Sequence, residues 1–134
     1  LNKLELVEDQ SAVIDMIAAW SKEDKYITML PDNYTEELSS SLMYLVKDEG
    51  ETVGCASLEI IDSNAHCAVY TLEQHRKKGY GTEMIKEIHA EARRQGAKKA
   101  YGVIKRDNHK CLSISDNLDK LGELGQFIMR GEDL

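Results

Sequence analysis

Apolar positions along the chain switch between a spacing of two and a spacing of three to four, and each switch marks an element. Residues 3–7 alternate at Leu4 and Leu6 and predict a first strand. Asp9 or Ser11 can cap a helix running to Trp20, with Val13, Ile14 and Ile17 on its buried side. Residues 22–38 hold Tyr26, Tyr34 and the only proline, Pro31, and read as a loop followed by a short helix over 35–41. Residues 42–47 predict a second strand and 52–61 a third, joined by a hairpin turn at Asp48-Glu49-Gly50-Glu51. Asp62-Ser63-Asn64 turns the chain into a fourth strand over 66–72. Residues 81–95 change period: Met84, Ile85, Ile88 and Ala92 share one helical face, and Gly96 follows as a C′ residue. Residues 97–104 read as a fifth strand. Asp107-Asn108 caps a further helix with Leu112, Ser115 and Leu118 on one face, and 126–129 supply a last strand.

Between the fourth strand and its helix stands Arg76-Lys77-Lys78-Gly79-Tyr80-Gly81-Thr82. A glycine-rich turn opening a helix aims several backbone N–H groups at one point, with the positive end of the helix dipole behind them. Three cations add to that field. The local chemistry suits an anion the size of a pyrophosphate, although a basic loop with capping glycines is the plainer reading. A Walker A loop would need Gly-Lys followed by Ser or Thr, which is absent. A dinucleotide fingerprint starting at Gly79 and Gly81 would need a small residue where Met84 stands.

The net charge of -7 is unevenly spread. Residues 1–65 hold 14 Asp and Glu against 4 Lys, a balance of -10, and residues 66–134 hold 10 against 13 Lys and Arg, a balance of +3. The half with the basic loop thus suits a polyanionic cofactor, and the acidic half a cationic acceptor. An acidic total argues against general nucleic-acid binding. The apolar runs are too short to span a bilayer, which predicts no membrane association. Cys55, Cys67 and Cys111 show no metal-ligand spacing and predict reduced thiols, no metal and a cytoplasmic setting. The 134 residues predict a single domain, 1–134.

The pattern R-x-x-G-x-G at Arg76, Gly79 and Gly81, after a strand and opening a helix, resembles motif A of the GNAT superfamily of acyl-CoA N-acyltransferases. The element order agrees over nearly the whole chain. The resemblance implies an α/β (α+β) fold with a mixed central sheet of about six strands and helices on both faces. It implies an acetyl-CoA-dependent N-acetyltransferase that moves an acetyl group to a primary amine by direct transfer in a ternary complex. The CoA pyrophosphate would lie over Lys77, Lys78, Gly79, Tyr80, Gly81 and Thr82, with Arg76 at the first motif position. The pantetheine arm would follow the strand edge at Val69, Tyr70 and Thr71. Asn108 matches a CoA-contacting asparagine and is also a plain helix cap. The implied acceptor site falls over 20–42, where Asp24, Asp32, Glu36 and Glu37 could draw in a cation. The resemblance also admits a homodimer.

The catalytic residues match less well. Family members carry a tyrosine seven residues after the asparagine, before a Leu-Gly-Phe turn, to protonate the departing thiolate. Counted from Asn108 that position is Ser115; counted back from Leu121-Gly122 it is Leu118, and Glu123 replaces the phenylalanine. A thiol of pKa about 8.5 leaves as thiolate at pH 7 for roughly 2 kcal/mol, so water or Ser115 could bear part of the cost. A primary amine of pKa about 10.4 is neutral in only about one molecule in 2,500 at pH 7, so a base matters more. The position where the family often places a glutamate is near Ala65, leaving Glu59 and His66 as candidates. Two further readings stay open: a non-catalytic acyl-CoA-binding module, and an unrelated nucleotide-phosphate binder.

Overall fold

The computed structural model describes residues 3–21 and 41–134. Strands β1 (Glu5–Glu8), β2 (Leu42–Asp48), β3 (Glu51–Ile61), β4 (Asn64–Thr71), β5 (Lys99–Lys105), β6 (Asp119–Leu124) and β7 (Phe127–Asp133) form one sheet in the order β1-β2-β3-β4-β5-β7-β6. Every pairing is antiparallel except β4 with β5. Helix α1 (Gln10–Ser21) covers one face of the sheet and α2 (Tyr80–Arg94) the other, and a short α3 (His109–Ile114) follows β5. Of the loop and short helix expected over 22–41, residues 22–40 lie outside the described residues.

Both faces are packed by the predicted periodicities. Val13 and Ile17 of α1 close over Met43 and Cys55. Met84, Ile88 and Ala92 of α2 close over Ala56, Leu58, Ala65 and Cys67. Fully burying a side chain such as Ile88 is worth about 1.5–3 kcal/mol. Asp9 is the α1 cap, its Oδ1 accepting from the Ala12 N–H at 3.1 Å. Helix α2 ends as expected at Gly96, φ +93°, where the Ala97 N–H reaches back to the Ala92 carbonyl and the Gly96 N–H to Arg93. The β2–β3 and β3–β4 hairpin turns each put two residues at positive φ, Glu49 with Gly50 and Asp62 with Ser63, as a two-residue turn matched to strand twist requires.

The sheet has seven strands rather than about six, and β6 is the addition. Its sequence DKLGEL has almost no buried position and its pairing with β7 shifts between Lys120 and Gly122, so no alternation marks it. Helix α3 is shorter than its apolar spacing predicts. Ser115 ends it, so Leu118 lies beyond the helix rather than on its face.

At Gly54 of β3 a Cβ would stand 2.1 Å from the Tyr70 carbonyl oxygen and 2.5 Å from Met84 Cε. The first of these atoms is backbone and cannot step aside. Gly54→Ala should therefore cost about 3 kcal/mol, read as a lower urea midpoint with unchanged slope.

Candidate active site

The parallel strands β4 and β5 pair only at Asn64–Lys99, Ala65–Ala100 and His66–Tyr101. Beyond this point β4 continues alongside β3 and β5 alongside β7, so the sheet opens into a V. From Cys67 and from Gly102 onward each strand turns an edge of backbone N–H and C=O groups toward the gap. The gap is a cleft of about 1710 Å³, lined by both strand edges, the turn after β4, the start of α2, and α3.

The floor of the cleft is the basic turn. A 3₁₀ turn (Glu73–His75) leaves β4, and Arg76 Nε donates to the Thr71 carbonyl at 3.1 Å, pinning the loop to the strand end. Lys77 and Gly79 both take left-handed backbone, φ +64° and +85°. Gly79 is the α2 N-cap and has no side chain to satisfy the helix. The first N–H groups of α2, which have no intrahelical partners, are therefore available to an anion. Tyr80 contributes backbone only: its ring is buried and its hydroxyl donates to Asp48 Oδ2 at 2.7 Å, a bond that pushes the phenol pKa up. A Cβ on Gly81 would stand 2.8 Å from Ile114 Cδ1. Gly81 thus makes room for the Ile114 side chain of α3.

Along α3, Asn108 Oδ1 accepts from the Cys111 N–H at 3.2 Å, so its capping role is realised while it lines the cleft. Ser115 is 2% exposed, and its hydroxyl lies 2.9 Å from the Cys111 carbonyl and 3.2 Å from that of Leu112. On the opposite wall, His66 stands at the apex of the V with Tyr101 beside it, ring centroids 5.3 Å apart. Glu59 is its partner across β3. Burial pushes the His66 imidazole below its usual 6.5, and the Glu59 charge partly opposes this. The imidazole is therefore neutral at pH 7, with a lone pair to accept a proton.

These features sit where the sequence matches a known family. The model of the acetyltransferase (GNAT) family matches residues 9–113. The chain belongs to the GNAT acetyltransferase family. Membership makes it an N-acetyltransferase that uses acetyl-CoA as cosubstrate and an amine as acceptor. No curated protein matches the sequence. Solved structures share the fold at low identity. A domain from Methanocaldococcus jannaschii aligns with TM-score 0.79 at 13% identity, over 98% of this chain and 99% of that one. The Campylobacter jejuni N-acetyltransferase PseH, in complex with acetyl coenzyme A, aligns with TM-score 0.71 at 18% identity, over 97% and 98%. The spermidine N-acetyltransferase of Vibrio cholerae, in complex with CoA and spermine, aligns with TM-score 0.70 at 15% identity, over 98% and 95%.

In this GNAT chain the cleft brings together Val69, Tyr70, Thr71, Arg76, Lys77, Gly79, Tyr80, Gly81 and Asn108, with His66 and Ser115. Lys78, Thr82 and Glu59 are not on its wall. Asp24, Asp32, Glu36 and Glu37 lie outside the described residues. His89 is buried, with Nδ1 2.7 Å from Glu132 Oε1, joining α2 to β7. His75 is buried in the 3₁₀ turn, its Nε2 3.3 Å from Glu51 Oε1. Sequence reading missed Arg130, a cleft residue on β7. The last strand was expected to end at 129, and only its full length brings Arg130 to the site. Among the described residues, no three His, Cys, Asp or Glu side chains group as a metal site, and no helix is long and apolar enough to cross a membrane.

Proposed function

We propose that the cleft is the acetyl-CoA site, with the pyrophosphate over the turn 77–82 and the pantetheine arm along Val69, Tyr70 and Thr71. The observation that carries this reading is the opening of β4 from β5 directly above an α2 N-terminus that no side chain caps. The residues fit the group: backbone donors and a cationic turn suit the pyrophosphate, and the β4 edge facing the gap suits the amide-bearing arm. Arg76, held to Thr71, fixes the loop, while Lys77 and Lys78 add charge. Asn108 orients α3 and keeps its amide nitrogen for the cofactor. Bound acetyl-CoA supplies an activated acetyl thioester; the chain supplies position and charge.

Within that frame a β4 N–H near Val69 polarises the thioester carbonyl. His66, neutral and at the apex, takes the amine proton directly or through one water. Glu59 lies across the strand and biases His66 by charge alone. Ser115 holds the end of α3 and contributes little to transfer.

The acceptor is read as a primary amine on a small molecule or peptide, attacking in a ternary complex. The acidic balance of residues 1–65 supports a cationic acceptor, and the Vibrio cholerae neighbour was solved with spermine. Carboxylates near such an acceptor raise its pKa, so they assist encounter and leave deprotonation to the base. The free cysteines fit a single cytoplasmic domain over 1–134, acting alone or as a homodimer. Free-thiol release from acetyl-CoA, assayed over an amine library, is the test. Cationic amines should be the best substrates, with a KM that rises as salt screens exposed charge and a kcat that changes little. A best acceptor that is anionic, with a salt-independent KM, would overturn the acceptor reading.

A further inference from the structure

The interior of this cleft is a poor place to leave a thiolate. Cys67, buried on the β4 wall where the V opens, has its thiol pushed up to about 12 by burial. A departing CoA sulfur beside this apolar wall is helped by a charge or a proton. Two hydroxyls on the cleft wall are engaged: Ser115 lies against two α3 carbonyls, and Tyr80 donates to Asp48.

Arg130 is placed to supply the charge. It pairs across β5–β7 with Gly102, the first β5 residue past the last β4–β5 pair. Gly102 puts no side chain into the gap, where a Cβ would already stand 3.2 Å from the Cys67 carbonyl oxygen. The guanidinium is held by one nitrogen: Nη1 donates to the Leu112 carbonyl at 2.5 Å and lies 3.3 Å from Ser115 Oγ. Nε and Nη2 make no hydrogen bond among the described residues. The nearest carboxylate, Asp116, is 3.9 Å away with its side chain 84% exposed, so it neutralises the cation weakly, while the arginine side chain itself is only 20% exposed. Arg130 already acts on one sulfur: its charge opposes the burial that raises the Cys111 thiol.

We propose that Arg130 is the fixed cation that stabilises the departing CoA thiolate, in place of a proton donor. The proposal rests on the reading of the cleft given above. In the step, the amine nitrogen bonds to the acetyl carbon, the carbon–sulfur bond breaks, and its electron pair stays on sulfur facing the guanidinium. The amine proton goes to His66 or water, and the thiolate takes a proton from solvent after release. A fixed charge that is already in position before bond breaking costs no reorganisation.

The test is the ionisation of CoA bound to the whole chain, followed by thiolate absorbance against pH in the wild type, Arg130→Gln and Arg130→Lys. The Gln variant removes the charge but keeps a donor for the Leu112 carbonyl. In the wild type the bound thiol should ionise below the free value of about 8.5. It should ionise at least about tenfold less readily in the Gln variant, with most of the effect retained by Lys. The Gln variant should lose about tenfold or more in kcat, with the KM for acetyl-CoA within about threefold. Equal thiol titrations in wild type and Gln, or a raised KM with unchanged kcat, overturn the proposal and leave Arg130 as a packing or phosphate residue. If the Gln variant does not fold, the wild type decides alone: a bound thiol titrating at or above the free value overturns it. Failure of the wild type to bind CoA would sink the cleft reading and this proposal together, whereas binding without a shift sinks only the role of Arg130.

Discussion

Gly79→Val is expected to weaken acetyl-CoA binding by about a hundredfold or more, a loss of roughly 2.7 kcal/mol, while the fold survives. Gly79 is the α2 N-cap at φ +85° and ψ +5°, a conformation that a β-branched residue adopts only as an outlier. Valine would force the turn toward negative φ and swing the Lys77 backbone and the first N–H groups of α2 away from their common point. The intrinsic strain is only about 1–3 kcal/mol, and it falls on an exposed turn rather than on the core. Two controls separate geometry from general damage. Gly79→Asn keeps a side chain that tolerates left-handed backbone, so its affinity should stay within about tenfold of the wild type. Gly50→Val imposes the same backbone strain, φ +85° with open space around a Cβ, in the β2–β3 turn. It should lower stability comparably and leave binding unchanged. Calorimetric titration with acetyl-CoA reads all three. Wild-type affinity in a folded Gly79→Val protein would remove the α2 N-terminus from the site.

The contrast between Gly79 and Gly81 shows where sequence reading succeeds and where it stops. Both glycines were legible as parts of an anion-binding turn. Only the structure shows that Gly79 supplies a left-handed cap while Gly81 makes room for Ile114 of α3. The strands β2, β3 and β4 and the helix α2 were readable because each buries one face and so writes a period into the sequence. Strand β6 buries almost nothing and pairs on one side only, so no period exists to read. At the end of α3 the Leu112 carbonyl is taken by two side chains, Ser115 three residues on and Arg130 18 residues on, and only the first of these is local. The same long-range pairing explains why Arg130 was invisible as a site residue. A lone arginine in a strand has no local signature, and its position follows from the register of β7 on β5. Tyr80 was assigned to the pyrophosphate by its place in the motif, and its hydroxyl is bonded to the half-buried Asp48 carboxylate, 32 residues away, which no local pattern shows.

His66→Gln is expected to lower kcat by about a hundredfold, within the range that positioned bases contribute. Glutamine keeps comparable bulk at the apex of the V and removes the basic nitrogen. The pH profile carries the sharper expectation. Burial holds His66 below its ordinary 6.5, so the wild-type enzyme should be fully active near pH 7. It should lose kcat as pH falls through the lowered value, where the imidazole takes up a proton and ceases to be a base. The Gln variant should lose this acid limb and keep only the rise at high pH, where the amine itself becomes neutral near its pKa of about 10.4. Glu59→Gln tests the sign of the coupling. The Glu59 charge favours the imidazolium and raises the His66 pKa against burial. Removing it should move the acid limb to still lower pH, with a modest fall in the plateau because a less basic imidazole is a weaker base. A shift to higher pH would mean that Glu59 does not act on His66 by charge. A Gln variant of His66 with kcat within about threefold of wild type and an unaltered profile would assign the proton to water or to another group. Stopped-turnover assays of thiol release across pH 5 to 10, with one saturating amine, distinguish these outcomes. The expected pattern is specific to a half-buried neutral imidazole opposite a carboxylate: a solvent-facing histidine would place the limb near 6.5, and an amine titrating alone would rise across the whole range toward its pKa of about 10.4, with no break near the histidine.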